Sequence, residues 1–122
     1  MKRDWEVIRN ILTEVEGLSP DERNRFSYGL GKTYATHNPT ISEHALLLYK
    51  AGYLSGIPNA TIGSPAIRSP ELTWEGHDLL DTIRSRPVWE RIKTISMEKG
   101  IEITFDSLKG LSKVALDWVL AQ

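Results

Sequence analysis

Apolar residues at Trp5, Ile8, Ile11, Leu12 and Val15 recur at the three- and four-residue spacing of one helix face. Asp4 and Glu6 complement the helix dipole and Gly17 follows the last periodic residue, so a helix is predicted over residues 4–16. Ser19-Pro20-Asp21-Glu22 then supplies a capping serine, a proline at the first helical position and a glutamate three residues after the cap. A short helix to about Phe26 follows from that pattern. Beyond it, Phe26, Tyr28 and Leu30 alternate like a strand while Gly29 and Gly31 weaken either assignment, so residues 26–38 read as loop or short strand. Thr40-Ile41-Ser42-Glu43 reads as a second capping box, opening a helix that stops at Gly52. Ile41, Ala45, Leu48 and Ala51 form its buried face, with Leu47 beside it and with Ser42, Glu43, Leu46, Tyr49 and Lys50 placed outward.

Residues 53–57 and 66–73 read as the two strands of a hairpin, joined through Pro58, Asn59, Gly63, Ser64 and Pro65, all turn formers. Pro70 cannot donate to a ladder and suits an edge. Trp74, Leu79, Leu80 and Ile83 mark a helix to about Arg84, with Thr73 as its cap. Pro87 starts another, carrying Trp89, Ile92 and Ile95 and ending at Gly100; Asp106 is placed as the cap of a last one. Trp5, Trp74, Trp89 and Trp118 all fall at helix-periodic apolar positions and read as core anchors. The class is mainly α with a small β-hairpin. A helix, a two-stranded wing and a further helix in succession make it winged helix-turn-helix-like, with extra C-terminal helices. Residues 1–122 read as a single domain, with a winged-helix core over 1–86 and a helical extension over 87–122.

Composition narrows the function classes. A chain of 122 residues has room for one modest core, and 40% hydrophobic with 25% charged residues is ordinary for a globular protein. The absence of cysteine removes disulfides and thiolate chemistry and fits a cytoplasmic setting. No apolar run approaches the roughly 18 residues of a membrane span, so neither signal peptide, anchor nor membrane partner is expected. A net charge of −1 argues against strong, sequence-independent attraction to phosphates, although a local patch suffices for binding.

Three segments carry a resemblance: Met1-Lys2-Arg3-Asp4-Trp5-Glu6-Val7-Ile8-Arg9, residues 44–54, and Leu72-Thr73-Trp74-Glu75-Gly76-His77-Asp78-Leu79-Leu80-Asp81. Together they resemble the family called domain of unknown function 2513, often prophage-encoded, and the resemblance extends to Thr104-Phe105-Asp106. The middle segment is also similar to ArsR and PadR winged-helix repressors, whose recognition helix ends in such a run before the wing. The resemblance implies a phage-type winged-helix regulator or accessory protein that contacts duplex DNA, in which case a homodimer is the more useful form. It departs from the repressor pattern at residues 23–38, where a second helix before the recognition helix is only weakly signalled.

Each candidate group has two readings. On the predicted recognition helix, Ser42, Tyr49 and Lys50 are candidates for DNA contact, against a core helix whose Glu43 merely completes a cap. Residues 51–67 carry no charge, which suits a protein surface more than a minor groove. Tyr53, Ile57 and Ile62 there, with Trp118, are candidates for a protein interface, and Arg68 for a phosphate. Arg84, Arg86, Arg91 and Lys93 form the densest basic cluster, either a backbone contact or an ion-paired surface beside Asp81 and Glu90. His77 and Asp81 have i, i+4 spacing but do not complete a metal site, and His44 reads as a partly buried structural histidine. Gly29-Leu30-Gly31-Lys32-Thr33 matches only the tail of a phosphate loop, and no catalytic triad order is present. Neither a cofactor nor an enzymatic activity is expected. The competing reading is a protein-interaction module on a winged-helix scaffold.

Overall fold

The structure, a computed structural model, describes residues 1–30, 38–58 and 65–122. They fall into two compact units, Met1–Asp78 and Leu79–Gln122. The first contains α1 (Trp5–Glu16), α2 (Pro20–Asn24), β1 (Ser27–Gly29), α3 (Pro39–Lys50), β2 (Leu54–Pro58) and β3 (Ala66–Leu72), and the start of α4 (Trp74–Arg84). Asp4 caps α1, its carboxylate accepting from the backbone of Glu6, and Ser19 and Glu22 form the reciprocal capping box of α2. The Glu22 carboxyl is held below its usual range, chiefly by the hydrogen bond from the Ser19 backbone.

The cap of α3 lies earlier than the sequence pattern indicates. Asn38 is the capping residue, its side chain accepting from the Ile41 amide at 2.8 Å, and Pro39 occupies the first turn. Thr40 and Glu43 therefore form no capping box. An asparagine followed by proline satisfies the same orphan donors two residues upstream, where proline's missing N–H has no partner to lose. Residues 31–37, part of the 23–38 segment in which a second helix is only weakly signalled, and 59–64 lie outside the described residues.

The hairpin is part of a larger sheet. β1 joins it, giving an antiparallel sheet in the order β1-β3-β2, with Tyr28 opposite Ile67 and Leu54 opposite Leu72. β3 is thus the central strand, which corrects the edge placement of Pro70. The register runs Ser55 opposite Glu71 but Ile57 opposite Arg68, so Ser69 and Pro70 together face Gly56. This is a bulge, where the ladder is interrupted and a missing N–H does no harm. Ser69 takes a positive φ of 50° there, and its N–H donates to the Phe26 carbonyl. The succession of α1, β1, α3, β2 and β3, with this strand order, is consistent with a winged-helix-like layout.

α1 and α3 pack on each other and on the sheet. Ile8, Ile11 and Leu12 of α1, Ala45 and Leu48 of α3, and Tyr28, Leu54 and Ile67 of the sheet are all buried. A fully buried aliphatic side chain of this kind contributes about 1.5–3 kcal/mol. Two polar contacts pin the layers. His44 is fully buried; its Nε2 accepts from the Asp4 amide at 2.8 Å, so Nδ1 carries the proton and donates to the Thr40 carbonyl at 2.7 Å. The Tyr28 hydroxyl donates to the Glu14 carboxylate at 2.6 Å, and its ring meets Phe26 edge-on.

The Leu-Thr-Trp-Glu-Gly-His block closes this unit. The Thr73 hydroxyl donates to the Gly52 carbonyl at 2.6 Å and accepts from the Gly76 amide, while the Thr73 amide donates to the Tyr53 carbonyl. The backbone of Gly76 lies so near Tyr53 that a Cβ there would stand 2.0 Å from the Tyr53 carbonyl oxygen. Gly52, at φ 88°, makes the turn from α3 into β2.

In the second unit α5 (Arg86–Lys99) and α6 (Phe105–Leu120) pack on one another. Val88, Trp89, Ile92 and Ile95 are buried on α5, and Leu108, Leu111 and Ala115 on α6. Ser85 caps α5, Pro87 sits in its first turn, and Gly100 ends it in the left-handed region. Thr104, not Asp106, caps α6, in a box with Ser107. Asp106 stands in the first turn, where its charge favours the helix N-terminus. Of the four tryptophans, only Trp89 is fully buried; Trp5 is half-buried, Trp74 is 80% exposed and Trp118 43% exposed. Helical spacing placed all four on apolar stripes, but a stripe is buried only where another element covers it.

Two predictions follow from the close contacts of the first unit. Gly→Ala inside a helix ordinarily stabilises by up to about 1 kcal/mol, whereas Gly76→Ala should destabilise by roughly 2–3 kcal/mol, because two backbones must separate; urea denaturation midpoints measure the sign. Burial, and then the bond to Glu14, raise the Tyr28 hydroxyl above its usual range. The folded state therefore holds a proton that the unfolded chain releases. Its contribution is intact below pH about 10 and is lost above it, at roughly 1.4 kcal/mol per pH unit. Denaturation between pH 9 and 11 should show this decline, and Tyr28→Phe should make it shallower.

Candidate functional site

In a winged-helix-like layout the helix before the hairpin sets the geometry of a recognition surface, and that position is held by α3, before β2 and β3. Helical phase puts Glu43 and Lys50 opposite the buried stripe of Ala45 and Leu48, with Leu46 and Leu47 flanking them. Lys50 is exposed, Glu43 and Leu47 are half-buried, and Leu46 is nearly covered. Thr40 extends the exposed stripe toward the N-terminus. This face offers one cation, one anion and apolar surface.

Ser42 is not on it. The side chain is fully buried and its hydroxyl has no hydrogen-bond partner, so the outward placement of Ser42 is corrected. The reason is phase: Ser42 lies about 60° around the helix from Ala45, and its polarity masked that position. Leu46, also expected outward, is nearly covered although its helical phase sets it beside Glu43 and Lys50. Tyr49 is half-buried on the same side, and Ala51, expected on the buried face, is exposed as the helix cap. Leu47, placed beside the buried face by the sequence pattern, is half-buried and borders the outward surface, about 100° from Leu48 and about 160° from Ala45 around the helix.

A shallow apolar groove runs beside this face, lined by Leu30, Leu46, Leu47 and Pro65, with Glu43 and Lys50 at its border. Among the described residues neither Glu43 nor Lys50 makes an ion pair. On the sheet, Arg68 is exposed at the centre of β3 and lies directly across from Ile57, which is 51% exposed on β2. The phosphate candidate and a protein-interface candidate are therefore cross-strand neighbours. Tyr53 is half-buried at the turn into β2, and Ile62 lies outside the described residues. A second, more polar cleft is lined by Glu16, Arg23, Glu71 and His77, where Arg23 is ion-paired with Glu71. Residues 1–78 hold eight Lys and Arg against ten Asp and Glu, so this unit is net acidic.

The basic cluster of the second unit is largely engaged. Arg84 pairs with Asp81 at 3.2 Å, and Arg86 and Lys93 both reach Glu90, at 3.3 and 3.2 Å. Arg91 lies over the Trp118 ring at 4.2 Å, a cation–π contact, with its Nε buried and lacking a hydrogen-bond partner. Trp118 is thus an exposed ring backed by a cation, with exposed Val114 one turn before it on the same side of α6; Leu116 and Leu120 are exposed on the other side of the helix. His77 and Asp81 have no third ligand: the described residues contain no group of three His, Cys, Asp or Glu arranged to hold a metal. No described helix is long and apolar enough to cross a membrane.

A family model described as "Hypothetical protein (DUF2513)" matches residues 2–102, from the start of α1 through α5. The chain belongs to the DUF2513 family. An uncharacterized protein of Haemophilus influenzae is 31% identical over 121 residues, covering 99% of this chain and all of the relative. No solved structure matches. Within the family match, the segments at 1–9, 44–54 and 72–81 meet in the contacts described above: the Asp4 amide with His44, and Thr73 and Gly76 with the turn at Gly52 and Tyr53. These contacts give the three segments structural work, the positioning of α3.

Because the Ser42 hydroxyl is buried without a partner, Ser42→Ala should leave stability unchanged or raise it by up to about 1 kcal/mol, and should leave any surface interaction untouched. A thermal melt showing a loss beyond that range would mean the hydroxyl has a bonding role.

Proposed function

We propose that this DUF2513 member is a non-enzymatic protein-interaction module on a winged-helix-like scaffold, in which the helix before the wing contacts protein rather than base edges. The observation that carries this reading is the outward face of α3, where Glu43 and Leu47 stand in place of the Arg, Lys, Asn or Gln that read a major groove and Lys50 is the one such side chain. A carboxylate on this face repels phosphate and offsets Lys50. The uncharged segment 51–67, exposed Ile57 and the net acidic unit add to the same side. In the second unit, exposed Trp118 and Val114 on one side of α6 suit a protein surface, while the pairing of Arg84, Arg86 and Lys93 leaves that cluster poorly suited to phosphates.

Duplex DNA binding is the second reading, favoured by the exposed Lys50 and Arg68. The two differ in their response to salt, because each phosphate neutralised releases counterions and apolar contact does not. Fluorescence anisotropy of random and genomic duplexes should show no binding at moderate salt and none at low salt that Lys50→Ala or Arg68→Ala reduces. Salt-sensitive binding weakened by both substitutions would overturn the protein-contact reading in favour of a DNA-binding regulator.

A further inference from the structure

The face of α3 is charge-complementary to itself. Glu43 and Lys50 are seven residues apart, about 10.5 Å along the helix axis, and they bracket Leu46 and Leu47. A two-fold axis set between the two leucines, with a second α3 crossing antiparallel, brings Glu43 of each copy against Lys50 of the other. The same operation lays Leu47 against its counterpart and covers the apolar groove flanked by Leu30 and Pro65. We infer that this surface is a self-association face whose occupant is a second copy of the chain, joined through α3.

Three features of the face support that occupant. Its two charges are opposite in sign and symmetric about the apolar centre, which an isologous contact requires and a phosphate backbone does not. Among the described residues no ion pair competes for either charge. The long cation on this face terminates the helix at its edge, where an interfacial pair stays hydrated and adds selectivity of register more than raw affinity. The inference rests on the protein-contact reading and names its partner. A contact of one short helix face is small, so the association is weak and concentration-dependent.

Charge reversal tests it. Sedimentation equilibrium of the full chain should show a mass rising with concentration from 13.8 kDa toward twice that value. Glu43→Lys and Lys50→Glu each place like charges opposite one another and should weaken association about tenfold or more. An equimolar mixture of these two variants, and the double variant E43K/K50E, should each regain it, since opposite charges again face across the axis. Leu47→Asp removes the apolar centre and should abolish association by an independent route, with circular dichroism confirming that each variant is folded. A wild-type chain that stays monomeric at the highest attainable concentration overturns the self-pairing; if it also fails to bind DNA, the protein-contact reading stands with a different partner. Association that neither swap alters overturns the assignment to α3.

Discussion

β3 is paired on both edges, and the rest of the first unit is arranged around that double pairing. An antiparallel sheet in the order β1-β3-β2 leaves no freedom in the placement of β1 and β2 once the register of β3 is set, because a slip of one residue would turn every buried side chain to solvent. Tyr28, Ile67 and Leu54 then share the covered side of the sheet with α1 and α3. The bulge at Ser69 and Pro70 belongs to the same constraint. It lets a proline stand in a central strand and brings Arg68 opposite Ile57 after the break in register.

Within that frame a few polar contacts decide where α3 sits. Hydrophobic burial holds it against α1 and the sheet but is not directional. The bond from the Asp4 amide to His44 ties the start of α1 to the middle of α3, and the Thr73 hydroxyl ties the turn after α3 to the start of α4. Gly76 permits that approach, since any side chain would meet the Tyr53 carbonyl. A glycine and a threonine on one side and a buried histidine on the other thus determine which residues of α3 face outward.

The outward face is where scaffold and function separate. A winged-helix-like layout is compatible with reading DNA, but a layout does not by itself carry a function. What the face offers to a partner is a balanced pair of charges around leucines, in a unit with more acidic than basic groups. In the proposed reading those properties suit a protein surface of matching charge, and their two-fold complementarity suits a second copy of the chain.

Much of the architecture was legible in the residues alone. The helices announced themselves through periodic apolar positions and through Ser19, Thr73, Pro87 and Gly100, whose capping and stopping roles depend on neighbours only a few positions away. The family resemblance likewise rested on contiguous segments. Other features depended on residues distant in the chain. Pro70 is tolerated in a central strand because Gly56 lies opposite a bulge, Ser42 is buried because the covered side of α3 is wider than its apolar stripe, and Trp74 and Trp118 are exposed although their spacing matches that of buried Trp89. Asn38 displaced Thr40 as a cap through a choice between two local solutions of similar chemistry. The sequence determined where helices begin and which faces are apolar, because those follow from interactions within a turn or two. Only the tertiary structure decided which apolar faces are covered and which charges remain open, because burial depends on what another element brings against them.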